Sequence, residues 1–127
     1  MNKVSKFEDL IAWQKARELT KVIYSISKNG LFAKDFGLSN QIQRAAVSTM
    51  SNLAEGFDRG GRADFHRFIV TAKGSCAEVR SQLYIAFDNK YIDEFEFKSI
   101  LAQVDEVSRI IGGLRTAVAE QRDRSRV

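Results

Sequence analysis

Apolar positions recur along the chain at steps of three and four, the spacing that lines up one stripe of an α-helix. Ala12, Ala16, Leu19, Ile23 and Ile26 form the first stripe, on a helix expected from about residue 9, near Glu8 or Asp9, to residue 28, where Asn29-Gly30 is a C-terminal signal. A second stripe, Ile42, Ala46, Met50, Leu53 and Phe57, follows Ser39, a good N-cap residue, and runs to the glycine pair Gly60-Gly61, so the helix is expected over about 39–59. The third stripe is the most regular. Phe65, Ile69, Ala72, Cys76, Val79, Leu83 and Ala86 step by four and three in strict alternation, the seam of a helix that packs others at a shallow angle, over about 62–88. Asp93, with Glu96 three residues on, opens the fourth, which carries Ile100, Val104, Val107, Ile111, Leu114 and Val118 and is expected over about 93–120. The remaining QRDRSRV reads as a frayed tail.

Short connections force neighbouring helices to run antiparallel, so the pattern predicts an all-α fold: one antiparallel up-down-up-down four-helix bundle spanning residues 1–127. No strand pattern, internal repeat or linker competes with it. A chain of 127 residues suffices for one core and is too short for two, and the absence of proline permits long helices throughout.

Composition narrows the chemistry. Cys76 is the only cysteine and His66 the only histidine, so neither a Cys-His nucleophile pair nor a histidine-rich metal site can be assembled within one chain. Cys76 falls on the core seam and reads as inert; His66 reads as a surface residue. Glu55 and Glu78 lack the Glu-x-x-His partners of di-metal bundles. No catalytic residue, metal or cofactor is expected, and the chain is read as a non-enzyme. A charged N-terminal segment without an apolar run, and no stretch long enough to span a bilayer, point to the cytoplasm with no membrane partner.

Charge becomes informative once the topology places it. The N-terminus, the Gly60-Gly61 turn and the tail fall at one end, with Lys3, Lys6, Arg59, Arg62, Arg67, Arg115, Arg122, Arg124 and Arg126; Asp88, Asp93, Glu94 and Glu96 gather at the other. The formal net charge is +4. Guanidinium groups match phosphate oxygens, so the arginine-rich end suits RNA or DNA. The same distribution also arises wherever acids and bases complement helix dipoles, and Glu8, Asp9, Asp58 and Asp64 dilute the basic end. The segment RGGR at 59–62 has the flavour of an RNA-binding motif, but a single copy between two helices reads first as a turn.

The second helix carries a further face. Gln41, Arg44, Ser48, Asn52, Glu55 and Arg59 recur at helical spacing without a lysine and with little bulk. Short hydrogen-bonding side chains of this kind suit a packed polar contact better than a solvated surface. The third helix repeats the theme with Thr71, Gly74, Ser75, Glu78 and Gln82, and a mid-helix glycine costs up to about 1 kcal/mol relative to alanine unless close approach requires it. Gln41, Ser48, Asn52, Glu55, Gly74, Ser75 and Glu78 are therefore expected at a subunit interface or polar face, and Arg44 joins the arginines as a candidate nucleic-acid contact. A solvated polar stripe with a tolerated glycine is the alternative.

The runs FEDLIAWQKARELTKVIY, FGLSNQIQRAAVSTMSNLAEGFDRG and DFHRFIVTAKGSCAEVRSQLYIA carry a resemblance. Over about residues 7–118 the chain resembles the four-helix-bundle family encoded in intervening sequences of bacterial 23S ribosomal RNA genes. The matching positions are Leu10, Trp13, Ala16, Gln41, Arg44, Ala45, Ser48, Asn52, Glu55, Gly56, Arg59, Phe65, Ala72, Gly74, Ser75 and Glu78. It departs at Cys76, more often a larger apolar residue, and at Asp58, often glycine. The resemblance implies an antiparallel bundle that assembles into a ring-like homopentamer. It also implies kinship with the accessory variability determinants of diversity-generating retroelements, basic pentamers that bind nucleic acid and a reverse transcriptase. Two readings follow: an oligomeric scaffold that contacts RNA or a protein–nucleic acid complex through its arginines, or a protein-binding assembly module with no nucleic-acid role.

Overall fold

Each long apolar stripe becomes a helix in the computed structural model, which describes the backbone of residues 4–125 and the side chains of residues 4–121. A single 3-10 turn over Phe7–Asp9 leads into α1 (Ile11–Ser27), α2 (Gly30–Lys34), α3 (Phe36–Asp58), α4 (Arg62–Asp88) and α5 (Glu94–Ser125). There is no strand among the described residues. The stripes converge on one core whose largest fully buried members include Phe32, Leu19, Ile23, Ile42, Leu53, Ile69, Leu83 and Ile111. Each long helix touches two others: α3 packs on α1 and α4, and α5 on α4 and α1.

Side-chain pairs fix which levels meet. Ser48 Oγ lies 2.8 Å from Ser75 Oγ across α3 and α4. Lys73 donates to Ser108 Oγ at 3.0 Å and Arg80 Nε to Asp105 Oδ1 at 2.8 Å, joining α4 to α5. On the other side, Gln43 Nε2 donates to Ser27 Oγ at 2.8 Å and Thr20 Oγ1 to the Ala46 carbonyl at 3.2 Å, joining α3 to α1.

Four boundaries differ from the sequence expectation. α1 begins at Ile11, because Leu10 turns extended to bury its side chain while Phe7 packs edge-on against Trp13, centroids 5.2 Å apart. Where a plain connection was expected, the short helix α2 forms: Gly30 takes φ +59°, and Phe32, fully buried, stacks on Tyr91 at 5.3 Å. α3 starts at Phe36 rather than near Ser39, since Asp35 is the residue whose side chain accepts from Leu38 N, at 3.1 Å; Ser39 lies buried within the helix. The other Asp35 oxygen accepts from Tyr91 Oη at 2.9 Å, a bond that raises the phenol's pKa above its ordinary value. α5 continues to Ser125, no glycine or proline lying between Glu120 and that point.

The remaining ends follow local chemistry. Gly60, at φ +83°, makes the turn into α4. α4 closes with Lys90 in the left-handed region at φ 62°, its N–H on the Phe87 carbonyl and that of Tyr91 on the Ala86 carbonyl, a Schellman closure. Asp93 and Glu96 form a reciprocal capping box: Glu96 N donates to Asp93 Oδ1 at 2.7 Å, and Asp93 N to Glu96 Oε1 at 3.1 Å.

A polar groove on α3 and an arginine-rich end

The polar stripe of α3 divides into a packed edge and an open one. Along the edge that meets α4, Ser48 bonds Ser75, and Asn52 Nδ2 donates to the Ser48 carbonyl at 2.8 Å and to its Oγ at 3.0 Å. Ser75 is thus buried inside the chain, its hydroxyl satisfied by α3. One turn further on, the missing side chain of Gly56 admits Phe68: a Cβ there would lie 2.5 Å from Phe68 Cβ. Short side chains bring the two helices together, and the Ser48 and Ser75 hydroxyls and the Asn52 amide find their partners within that contact.

The open edge is hollow. A groove of about 540 Å³ runs between Tyr24 of α1 and Asn40, Arg44, Val47, Ser51 and Glu55 of α3. A second hollow of about 270 Å³ lies over the α3–α4 seam, lined by Gln41, Arg44, Ser48, Ser75, Glu78 and Gln82. Arg44 and Glu78 are both exposed, and neither makes an ion pair with another described residue. Gln82 Oε1 is buried with no hydrogen-bond partner among the described residues. Gly74 is exposed, and a Cβ added to it would meet nothing within 4 Å.

The arginines are not one cluster. Arg59, Arg62 and Arg67 surround the α3–α4 turn, whereas Arg44 sits about four turns, roughly 22 Å, from Arg59 along α3. Arg59 Nη2 contacts Glu55 Oε2 at 2.9 Å and Arg67 Nη2 contacts Asp64 Oδ1 at 3.2 Å. Both guanidinium carbons also lie over the ring of Phe68, at 4.9 and 4.8 Å from its centroid. Arg62, first residue of α4, is exposed but engaged. Arg115 is exposed about two turns beyond Ser108 on α5, and Arg67 lies about two turns before Lys73, the α4 partner of Ser108, which places both arginines near the same end. The side chains of Arg122 and Arg124, and Arg126 altogether, lie outside the described residues. Exposed ion pairs contribute about 0–1 kcal/mol, so Arg59 and Arg67 can exchange their carboxylates for another anion at little cost.

Cys76 is fully buried, and its Sγ lies 3.7 Å from the Val104 carbonyl. Burial pushes the thiol up to about 11, with Lys73 opposing. It should therefore resist alkylation at pH 8 in the folded protein and react on unfolding, a contrast that mass spectrometry after iodoacetamide treatment reads directly. The thiol stays neutral in the fold to about pH 11 but ionises sooner in the unfolded chain, so its share of stability is complete at neutral pH and is lost as pH climbs towards 11. His66 is half-buried, with part of its surface exposed. Among the described residues no group of three His, Cys, Asp or Glu side chains is placed to hold a metal ion, and no helix is long and apolar enough to cross a membrane.

Phe68 and Ser51 are the participants that the sequence does not single out. Phe68, the platform for Arg59 and Arg67, left only its adjacency to Arg67 as a signal. Val47 and Ser51 line the larger groove, and the run of short side chains at 47, 48 and 51 is the trace they leave in the sequence.

Residues 8–113 match the family model described as 23S rRNA-intervening sequence protein. The fold is similar to a crystal structure of a protein with unknown function from the S23 ribosomal protein family of Bacteroides thetaiotaomicron, with a TM-score of 0.75 and 24% identity, over 83% of this chain and 98% of that one. A comparison with curated proteins finds no match.

Proposed function

The chain belongs to the 23S rRNA-intervening sequence protein family, and from that premise we propose that it is a non-catalytic scaffold that assembles with copies of itself through the α3 groove and contacts RNA or a protein–nucleic acid complex through its arginine-rich end. In this reading the four long helices run up, down, up and down, and the copies close into the homopentameric ring that the sequence resemblance implies, together with its kinship to accessory variability determinants. The carrying observation is the α3 face. A groove of about 540 Å³ lined in part by short side chains, beside an unpaired Arg44, an unpaired Glu78 and the buried, unpartnered Gln82 oxygen, is a surface built for a packed polar contact.

The nucleic-acid part rests on the two guanidinium groups held over Phe68 near Arg62 and Arg115. A second reading, a protein-binding assembly module without nucleic acid, is favoured by the carboxylates that already occupy Arg59 and Arg67.

Light scattering on a size-exclusion column, run alone and with mixed RNA at low and physiological salt, separates these. The scaffold reading expects an oligomer of about five chains that shifts with RNA at low salt and loses most of that binding at physiological salt, because phosphate contacts release counterions. An oligomer indifferent to RNA at both salts selects the assembly module, and a monomer overturns both.

A further inference from the structure

The assembly reading leaves open which surface of the next copy enters the α3 groove. We propose that it is the outward ridge of α4, seated so that Glu78 faces Arg44 and Arg67 faces Glu55 of the neighbouring copy. The proposal rests on the assembly reading and adds its register.

Cyclic symmetry supplies the register. When copies are related by rotation about an axis that runs along the helices, residues level with one another inside a chain are also level between chains. Within the chain, Ser48 and Ser75 mark one level of α3 and α4. From that level, Arg44 on α3 and Glu78 on α4 lie about one turn towards the same end, and Glu55 and Arg67 about two turns towards the other. An α4 ridge laid on the next copy's α3 therefore brings acid to base at both levels, with Arg59 sharing the Glu55 carboxylate at the second. Among the described residues nothing in a solitary chain asks for this pattern, since Arg44 and Glu78 make no ion pair with any of them.

The ridge has the right shape between those charges. Gly74 and Ala77 are exposed and carry almost no side chain, and Val70 beside them is 43% exposed. Inside the chain, nothing lies within 4 Å of where a Gly74 side chain would begin, so no internal contact requires glycine at a mid-helix position where it disfavours the helix. A neighbouring helix passing close to that point does require it, and the short Val47 and Ser51 lining the groove give it room. Glu55 can serve two donors: both Arg59 bonds fall on Oε2.

Charge reversal and mixing test the register. Arg44→Glu and Glu78→Arg should each weaken assembly by about tenfold or more, because each sets like charges against one another in every contact. Both sites are exposed, so helicity by circular dichroism should match the wild type. Mixing the two variant chains should restore oligomers in large part, since each contact between unlike chains joins opposite charges and a five-membered ring need keep only one contact between like chains. Restoration on mixing cannot come from a pair inside one chain.

Loss in each variant with recovery on mixing supports the proposal. Two variants that both assemble like the wild type, or that fail to recover when mixed, overturn the register while leaving assembly standing. A wild-type mass of two chains overturns the ring seating in favour of a two-fold contact, and a monomeric wild type overturns the assembly reading itself. Gly74→Leu gives an independent check: it should abolish assembly while leaving the monomer at least as helical, and unchanged assembly would overturn the close approach.

Discussion

Phe32→Ala should lower the unfolding free energy by about 3–5 kcal/mol, the range for emptying a buried aromatic site. The ring is fully buried and stacks on Tyr91 with centroids 5.3 Å apart and planes 27° from parallel. It is also the one buried anchor of α2, whose five residues are far too few to hold a helix by their own hydrogen bonds. Without the ring, Tyr91 loses the surface that positions its hydroxyl on Asp35, and Asp35 is the residue that caps α3. Urea denaturation followed by helical circular dichroism checks the prediction, with Leu31→Ala as the control. Leu31 is 63% exposed in the same short helix, and its loss should stay within about 0.5 kcal/mol. Equal effects at the two positions would mean that α2 is not anchored by its aromatic side chain.

That short helix also shows where the sequence stopped being readable. The stripes of the long helices could be read because each buries one face, and the α4 seam is sharpest because its stripe is buried without a break from Ile69 to Ala86. The capping box at Asp93 and the glycine turn at Gly60 were readable for a different reason: their partners lie within three or four residues. Five residues hold too little periodicity to register, so the segment of α2 reads as a plain connection. Ser39 reads as the N-cap of α3 by local chemistry, whereas Asp35 holds that place. What distinguishes them is Tyr91, a hydrogen bond 56 residues away in sequence. The polar face of α3 was visible as a stripe without lysine, but its division was not. Ser75 and Ser48 were both assigned to a possible contact between subunits, and they in fact satisfy each other inside the chain, while the open groove is lined by Val47 and Ser51. A stripe gives an angle around the helix; how much of it an internal neighbour covers depends on the depth at which that neighbour packs.

That depth is set at Gly56, where substitution should have the second large effect. An alanine there would place its Cβ 2.5 Å from Phe68 Cβ and 3.2 Å from Phe68 Cγ and Phe65 Cδ1. Phe68 Cβ is one bond from the backbone, so no rotamer change removes the clash, and α3 and α4 must separate in an interior that packs at crystal-like density. Alanine gains up to about 1 kcal/mol over glycine in helix propensity, but overpacking of this kind costs about 1–3 kcal/mol and occasionally more. We expect Gly56→Ala to be destabilised on balance, with the shift falling on the Ser48–Ser75 hydroxyl pair and on the Phe68 ring that carries Arg59 and Arg67. Gly74→Ala is the matched comparison: the same exchange in the adjoining helix, with nothing within 4 Å of the new atom, should make the separated monomer more stable. Thermal unfolding of both variants under dissociating conditions decides the matter, because propensity alone predicts that both rise. If Gly56→Ala rises with Gly74→Ala, the two helices have room to spare and the close approach does not define the groove; if the two move in opposite directions, the glycine that brings α4 against α3 inside the chain is separated from the one left open on its outer face.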